Sequence, residues 1–243
     1  MRKRILNQPI DVISSEEAVF RVKAALFRGS QFKIITLNPE MVVNAGENFE
    51  FQAAINNADM IVPDGMGIVW ALKKEKGNKK VERIPGIELA QKTLEIANEL
   101  NKKIAIFGAS VDVLNKCVEK IKDDYPNIEI VKAIDGFHGI EKDKEIAEEI
   151  SKEKPNVVLV ALGTPRQEVW INRYSKLFLN SVMIGIGGSL DVWSGMKKRA
   201  PGWMIDLNLE WLYRISQEPE RIPRLLKTHP KFVCMVMKES NKV

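Results

Sequence analysis

The chain has 243 residues, 45% hydrophobic and 28% charged, enough apolar content for a sizeable core and too much for a disordered chain. Two cysteines exclude a disulfide framework and suit a reducing compartment, and the longest uncharged stretches, such as residues 155–165, fall short of the roughly 18 apolar residues of a membrane span. Lys plus Arg is 37 against 32 Asp plus Glu, and ten bases against five acids from Met196 to Val243 put the whole net charge of +5 in the last fifth of the chain.

The opening MRKRILNQPID is basic but meets a Pro and an Asp before any apolar run builds, so no signal peptide is expected. Residues 32–37 (FKIITL) then read as a strand stopped by Asn38-Pro39. A helical pattern runs through Met41, Val42 and Phe51 to Ala58, and a short strand at 60–62 ends at Pro63-Asp64-Gly65, before a helix over 66–73. Helices are expected over 87–100, 111–122, 141–152 and 167–177, and strands over 103–107, 128–134, 157–162 and 182–186. Continuous apolar strands alternating with helices indicate an α/β fold, a mostly parallel Rossmann-like sheet with helices on both faces.

Residues 1–195 form this core, and residues 196–243 read as a basic, Trp-rich helical appendage. Trp193, Trp203 and Trp211 lie within twenty residues, and Ile205, Leu209 and Leu212 widen the apolar face beyond one stripe. Pro219, Pro223 and Pro230 are expected to cut the remainder into short helices. Such a segment either packs on the core or meets a membrane or a second subunit.

In an open α/β sheet, ligands bind beyond the carboxyl ends of the strands. Those ends carry Thr36 and Asn38; Asp64; Gly108; Gly163, Thr164, Arg166 and Gln167; and Gly187, Gly188 and Asp191. Several are Gly-rich and open a helix whose free N–H groups favour anions, which together suggest a nucleotide-type ligand. Neither G-x-G-x-x-G after the first strand nor G-x-x-x-x-G-K-[ST] occurs, and there is no D-x-D and no histidine cluster. No metal site and no cofactor are therefore expected, and any diphosphate would be neutralised by helix N-termini and by arginines such as Arg83, Arg166, Arg214, Arg221 and Arg224.

Asp64, held between Pro and Gly, is the strongest candidate for a general base; capping the following helix is the equally open alternative. Thr36, Asn38 and Gln167 either hydrogen-bond a sugar or shape their turns, Glu168 either does the same or is a solvated first-turn residue, and Asp191 binds a base or ribose or caps a turn. Phe137 is placed to stack on a base, His138 is a loop residue, and Cys117 is a buried thiol rather than a nucleophile.

Taken together, TLNPE (36–40), PDGMG (63–67), RIPG (83–86), GTPRQE (163–168), GIGGSLD (185–191), KRAP (198–201), LEWLYR (209–214) and Glu218-Pro219 resemble the WecG/TagA/CpsF glycosyltransferase family over nearly the full chain. The resemblance is strongest to the branch that acts in wall teichoic acid synthesis. It implies an inverting, metal-independent transfer of ManNAc from UDP-ManNAc to undecaprenyl-diphosphate-linked GlcNAc through a β-1,4 link. By the same resemblance Asp64 is the base on the GlcNAc 4-hydroxyl. Thr36, Asn38, Arg83 and Gln167 line the sugar and phosphate site, and Gly108, Phe137 and Gly187–Asp191 hold the UDP. Arg214, Arg221 and Arg224, bracketed by apolar residues, suit a segment that docks beside the cleft and clamps the leaving diphosphate; surface salt bridges are the equally open alternative for each.

The expected setting is cytoplasmic and peripheral, on the inner face of the cell membrane, with an anionic lipid surface as partner and a homo-oligomer as an open alternative. The donor is the open choice: ManNAc uronic acid or a hexose on UDP would use the same fold and chemistry. A doubly wound nucleotide-dependent oxidoreductase is supported by fold pattern alone. A nucleic-acid-binding module, suggested by the basic tail, has no recognisable motif, and nucleic acid is not expected as a partner.

Overall fold

The computed structural model describes residues 2–76, 81–207 and 209–240; Asn208 and residues 241–243 of the appendage lie outside them. The chain opens with an antiparallel hairpin, β1 (Arg2–Ile5) and β2 (Gln8–Asp11), not foreseen from the sequence. Leu6 and Asn7 take φ values of 47° and 65°, the left-handed pair of a two-residue turn whose twist matches the strands. Asp11 pairs with Arg2 at 2.8 Å and accepts from Ile61 N–H at 2.9 Å, fastening the hairpin to the main sheet.

Next come α1 (Ser15–Arg28), β3 (Phe32–Leu37), α2 (Pro39–Ala45), α3 (Phe49–Asn56), β4 (Met60–Pro63), α4 (Met66–Lys76) and α5 (Gly86–Glu99). The second half holds β5 (Lys103–Gly108), α6 (Val111–Asp124), β6 (Glu129–Ile134), α7 (Asp143–Lys152), β7 (Val157–Ala161), α8 (Arg166–Tyr174), β8 (Val182–Gly185) and α9 (Ser189–Trp193). Six strands form one parallel sheet in the order β4-β3-β8-β7-β5-β6. The expected Rossmann-like architecture is thus present, with β8 and β7 at its middle.

Alternation along each strand assigns the two faces. Ile34, Met60, Val62, Ile104, Ile106, Val157, Leu159, Val182 and Ile184 pack with α1, α5 and α6 on one side. Ile35, Leu37 and Ile61 face α2, α3 and α4 on the other, while Ala105, Phe107, Val158, Val160 and Met183 meet α7 and α8. Burial on both faces explains why these strands read as unbroken apolar runs.

The last segment comprises α10 (Gly202–Asp206), α11 (Glu210–Gln217), a 3₁₀ turn at Pro219–Arg221 and α12 (Ile222–Ser240). The expectation of short helices cut at each proline is corrected here, because α12 runs for 19 residues with Pro230 inside it. Pro223 sits in the first turn, where its missing N–H needs no partner. Pro230 removes one interior bond, but Phe232 and Val236 beyond it are 2% and 0% exposed, packed into the cluster of α2 and α4. Tertiary burial outweighs the local penalty of about 3 kcal/mol for an interior proline. The first half of α12 therefore lies over the carboxyl ends of the strands, and its second half packs on α2 and α4.

Candidate active site

The ends of four neighbouring strands, β4, β3, β8 and β7, open into a cleft of about 360 Å³, roofed by the 3₁₀ turn, α11 and the start of α12. Its volume lies in the range of small-molecule sites. Thr36, Asn38, Asp64, Arg83, Gly163, Thr164, Gln167, Gly187, Gly188, Arg214, Arg221 and Arg224 all line it. Residues read from strand ends and residues read from the tail thus meet in one place, although up to 188 positions separate them in sequence, from Thr36 to Arg224.

Asp64 follows β4, and its N–H donates to Leu37 O at 2.8 Å, which holds the residue against the end of β3. Its Oδ2 accepts from Gly86 N–H at 3.2 Å, so the carboxylate sits at the positive N-terminus of α5. Arg83 Nε lies 3.7 Å from Oδ1. Burial pushes the Asp64 carboxyl above its ordinary value, outweighing Arg83, the Gly86 N–H and Arg214, while the Glu210 charge adds to the rise. A carboxylate held this way is oriented and more basic than a surface Asp, two properties a general base uses.

Thr36 reaches toward Gly86, where a Cβ would fall 2.8 Å from its Oγ1. Asn38 spends Oδ1 as the N-cap of α2, accepting from Met41 N–H at 2.9 Å. Gln167 Oε1 accepts from Gly187 N–H at 3.0 Å, and its Nε2 donates to Glu168 Oε1 at 2.7 Å. Gly187 takes a φ of 48°, which favours glycine, and so exposes its turn to the cleft. Glu168 is not a solvated first-turn residue: it is 4% exposed, and burial pushes its carboxyl up to about 7.

The cations are organised by acids that sequence reading missed. Glu210 accepts from Arg83 at 2.6 Å and from Arg214 at 2.9 Å, tying the tail to the loop beside Asp64. These two cations hold its carboxyl below the usual range despite burial. Arg224 pairs with Glu40 at 2.9 Å, and Arg221 with Glu218, which also takes Lys197. Burial first, then the charges of Arg224 and Arg214, lower the affinity of the Arg221 guanidinium for its proton. Three guanidiniums, each paired with a carboxylate, thus face one half-enclosed cleft.

Four residues lie outside the cleft wall. Gly108 ends β5 beside β7, and Phe137, 81% exposed, follows β6. Arg166 turns away to Asp143 at 2.7 Å and to the carbonyls of Gly136 and His138, bracing the loop that carries Phe137. Asp191, in the first turn of α9, has Lys197 at 3.8 Å. His138 sits in that loop 3.2 Å from Asp135, and Cys117 is buried, its thiol raised to about 11 by burial. Among the described residues, no three His, Cys, Asp or Glu side chains gather to hold a metal ion.

The WecG/TagA/CpsF family model of glycosyl transferases matches residues 3–243, nearly the whole chain. The chain belongs to this family. It is 37% identical over 241 residues to the N-acetylglucosaminyldiphosphoundecaprenol N-acetyl-beta-D-mannosaminyltransferase of Bacillus spizizenii, covering 98% of this chain and 92% of that protein. Proteins of the same name from Bacillus subtilis and Staphylococcus aureus are 40% and 38% identical, over 85% and 86% of this chain and 79% and 81% of theirs. This WecG/TagA/CpsF member is accordingly a glycosyltransferase, and the cleft that unites strand ends and tail is its candidate active site. Of the residues sequence reading passed over, Glu210 carried one signal, its place four residues before Arg214 on a helix.

Proposed function

We propose that the protein transfers ManNAc from UDP-ManNAc to the 4-hydroxyl of GlcNAc on undecaprenyl diphosphate, with inversion and without a metal ion, in linkage-unit synthesis for wall teichoic acid. The relatives' shared name supports the sugar and the acceptor. The observation that carries the chemistry is one cleft with the Asp64 carboxylate at the N-terminus of α5 on one wall and Arg214, Arg221 and Arg224 on another.

In this reading Asp64 takes the proton of the GlcNAc 4-hydroxyl as its oxygen attacks C1 of ManNAc. The C1–O bond to the diphosphate breaks on the opposite face, and UDP leaves with the bonding electron pair. One base and an in-line leaving group suffice for inversion, and the tail arginines stabilise the charge that develops on the diphosphate. That electrostatic task is the one a divalent cation performs elsewhere, which supports a metal-free reaction. Thr36, Asn38, Arg83, Gln167 and the Gly163-Thr164 and Gly187-Gly188 turns orient the sugar and phosphates. Gly108, Phe137 and Asp191, along the same edge of the sheet, receive the nucleoside.

A lipid-linked acceptor places the work at a membrane. No helix among the described residues is long and apolar enough to cross one. The tail instead exposes Trp203 (61%), Leu207 (63%), Trp211 (54%) and Leu226 (69%) next to its basic residues, a composition suited to the anionic inner face of the cell membrane. A second copy of the chain would compete for the same apolar surface.

The test is product identity. Incubation with UDP-ManNAc and a GlcNAc-diphosphate-lipid analogue should yield one new disaccharide, ManNAc on O4 of GlcNAc with the β configuration by NMR. An α linkage would overturn inversion, and a product formed only with another UDP-sugar would overturn the donor.

A further inference from the structure

We propose that Glu168 is a positioning residue of this glycosyltransferase: its carboxyl fixes Gln167 in one amide orientation across the floor of the cleft and, through Gln167, fixes the Gly187 turn. The inference rests on the reading that Gln167 faces the donor sugar or its phosphates.

Glu168 is the third residue of α8, and a buried carboxylate there gains from the helix N-terminus. What it lacks is a cation. The two arginines of its own helix are engaged elsewhere, Arg166 with Asp143 and Arg173 with Glu50. Its Oε1 accepts from Gln167 Nε2 at 2.7 Å and lies 3.3 Å from Thr164 Oγ1, while Oε2 is buried without a hydrogen-bond partner. A carboxyl 4% exposed with neither a counter-ion nor a full set of donors costs the fold stability. An apolar side chain at this position would avoid that cost, so packing does not account for the Glu.

Its two donors supply an account, because both Gln167 and Thr164 line the cleft. An isolated glutamine amide can turn over, exchanging its oxygen for its nitrogen. Here the Gly187 N–H, 3.0 Å from Oε1, only donates, and Glu168 Oε1 takes the Nε2 hydrogen at 2.7 Å, so a single orientation satisfies both. The end of β8 is shaped to admit this side chain, since a Cβ on Gly185 would fall 2.6 Å from Gln167 Nε2. The chain Glu168–Gln167–Gly187 links the β7–α8 turn to the β8–α9 turn. It leaves one Nε2 hydrogen of Gln167 uncommitted, and that is the donor a sugar or phosphate oxygen would meet.

The experiment is a double-mutant cycle on the full chain, combining Glu168→Met, which keeps the volume and removes the acceptor, with Gln167→Ala. Each single change should lower kcat by roughly 10- to 100-fold, the scale of a misplaced active-site group, and the double variant should fall no further than Gln167→Ala. Glu168→Gln, which restores an acceptor oxygen, should recover most of the loss. In parallel, the Gly187 amide signal in ¹⁵N–¹H spectra should shift in Glu168→Met as it does in Gln167→Ala. Additive losses, or a Gly187 signal unmoved by Glu168→Met, would overturn the proposal. If the wild type transfers sugar from no UDP-sugar, the functional reading fails by itself and the Gly187 signal alone decides the positioning. Should Glu168→Met not fold, Glu168→Gln carries the same cycle: a Gly187 signal shifted only where Gln167 is removed, with near-normal turnover in Glu168→Gln, supports it, and a Gln variant as impaired as Gln167→Ala overturns it.

Discussion

At Asp64 two effects oppose each other, burial raising the carboxyl and Arg83, 3.7 Å away, lowering it, and burial prevails. The base works ionised, so a raised value moves the acid limb of kcat/KM to higher pH than a surface Asp would give, and activity is lost as pH falls through that limb. Replacing Arg83 by Gln removes the opposing charge and should move the limb further up, whatever it does to substrate binding. A pH profile of the wild type and the Arg83 variant checks this; a limb that stays near the ordinary carboxylate value and ignores Arg83 would count against Asp64 as the base. Asp64, Thr36 and Asn38 were legible because strand ends are legible: a β-rich run stopped by Asn-Pro or Pro-Asp-Gly marks where a parallel sheet presents side chains to a ligand. Glu210 was not, and at Glu168 the position was legible but its burial was not. Glu210 matters through Arg83, 127 residues away, and Glu168 through a burial that charged residues in a first helical turn seldom have.

Among the elements, the strands of the sheet followed their periodicity, but the helical pattern expected from Met41 through Phe51 to Ala58 is two helices, α2 and α3, the second capped by Asn48. Three further segments did not announce themselves. The β1–β2 hairpin turns on Leu6-Asn7, without the glycine that usually marks such turns, and α1 was passed over although Ser14 accepts from Glu17 N–H as an N-cap. Helix α12 continues through Pro230 because Phe232 and Val236 anchor it on α2 and α4, information that lies in the partner helices and not in the local sequence. That anchoring has a consequence for catalysis. It sets Arg224 against Glu40 and brings Arg214 and Arg221 to the same cleft, so the tail supplies charge to a site otherwise built by the sheet. Changing Arg214, Arg221 and Arg224 together to Glu should lower kcat/KM by at least about 100-fold, or roughly 2.7 kcal/mol of transition-state stabilisation. The sheet should remain folded by circular dichroism, since the large strand clusters do not contain these residues. A fully active triple variant would remove the tail from the mechanism.

At the scale of the molecule, residues 1–195 are neutral and residues 196–243 carry the net +5, and side chains from both line one cleft. This division suits an enzyme that draws a soluble nucleotide sugar from one side and a lipid-bound acceptor from the other. The central claim is a carboxylate-based, metal-free transfer from UDP-ManNAc to a lipid-linked GlcNAc. Its most direct test is UDP release from a panel of UDP-sugars in EDTA, with and without a GlcNAc-diphosphate-lipid analogue, comparing the wild type with Asp64→Asn. The account predicts acceptor-dependent release from UDP-ManNAc that persists in EDTA and falls by about 10²- to 10⁴-fold in the variant, the contribution of one general base. Release that EDTA abolishes, or that Asp64→Asn leaves intact, would contradict it.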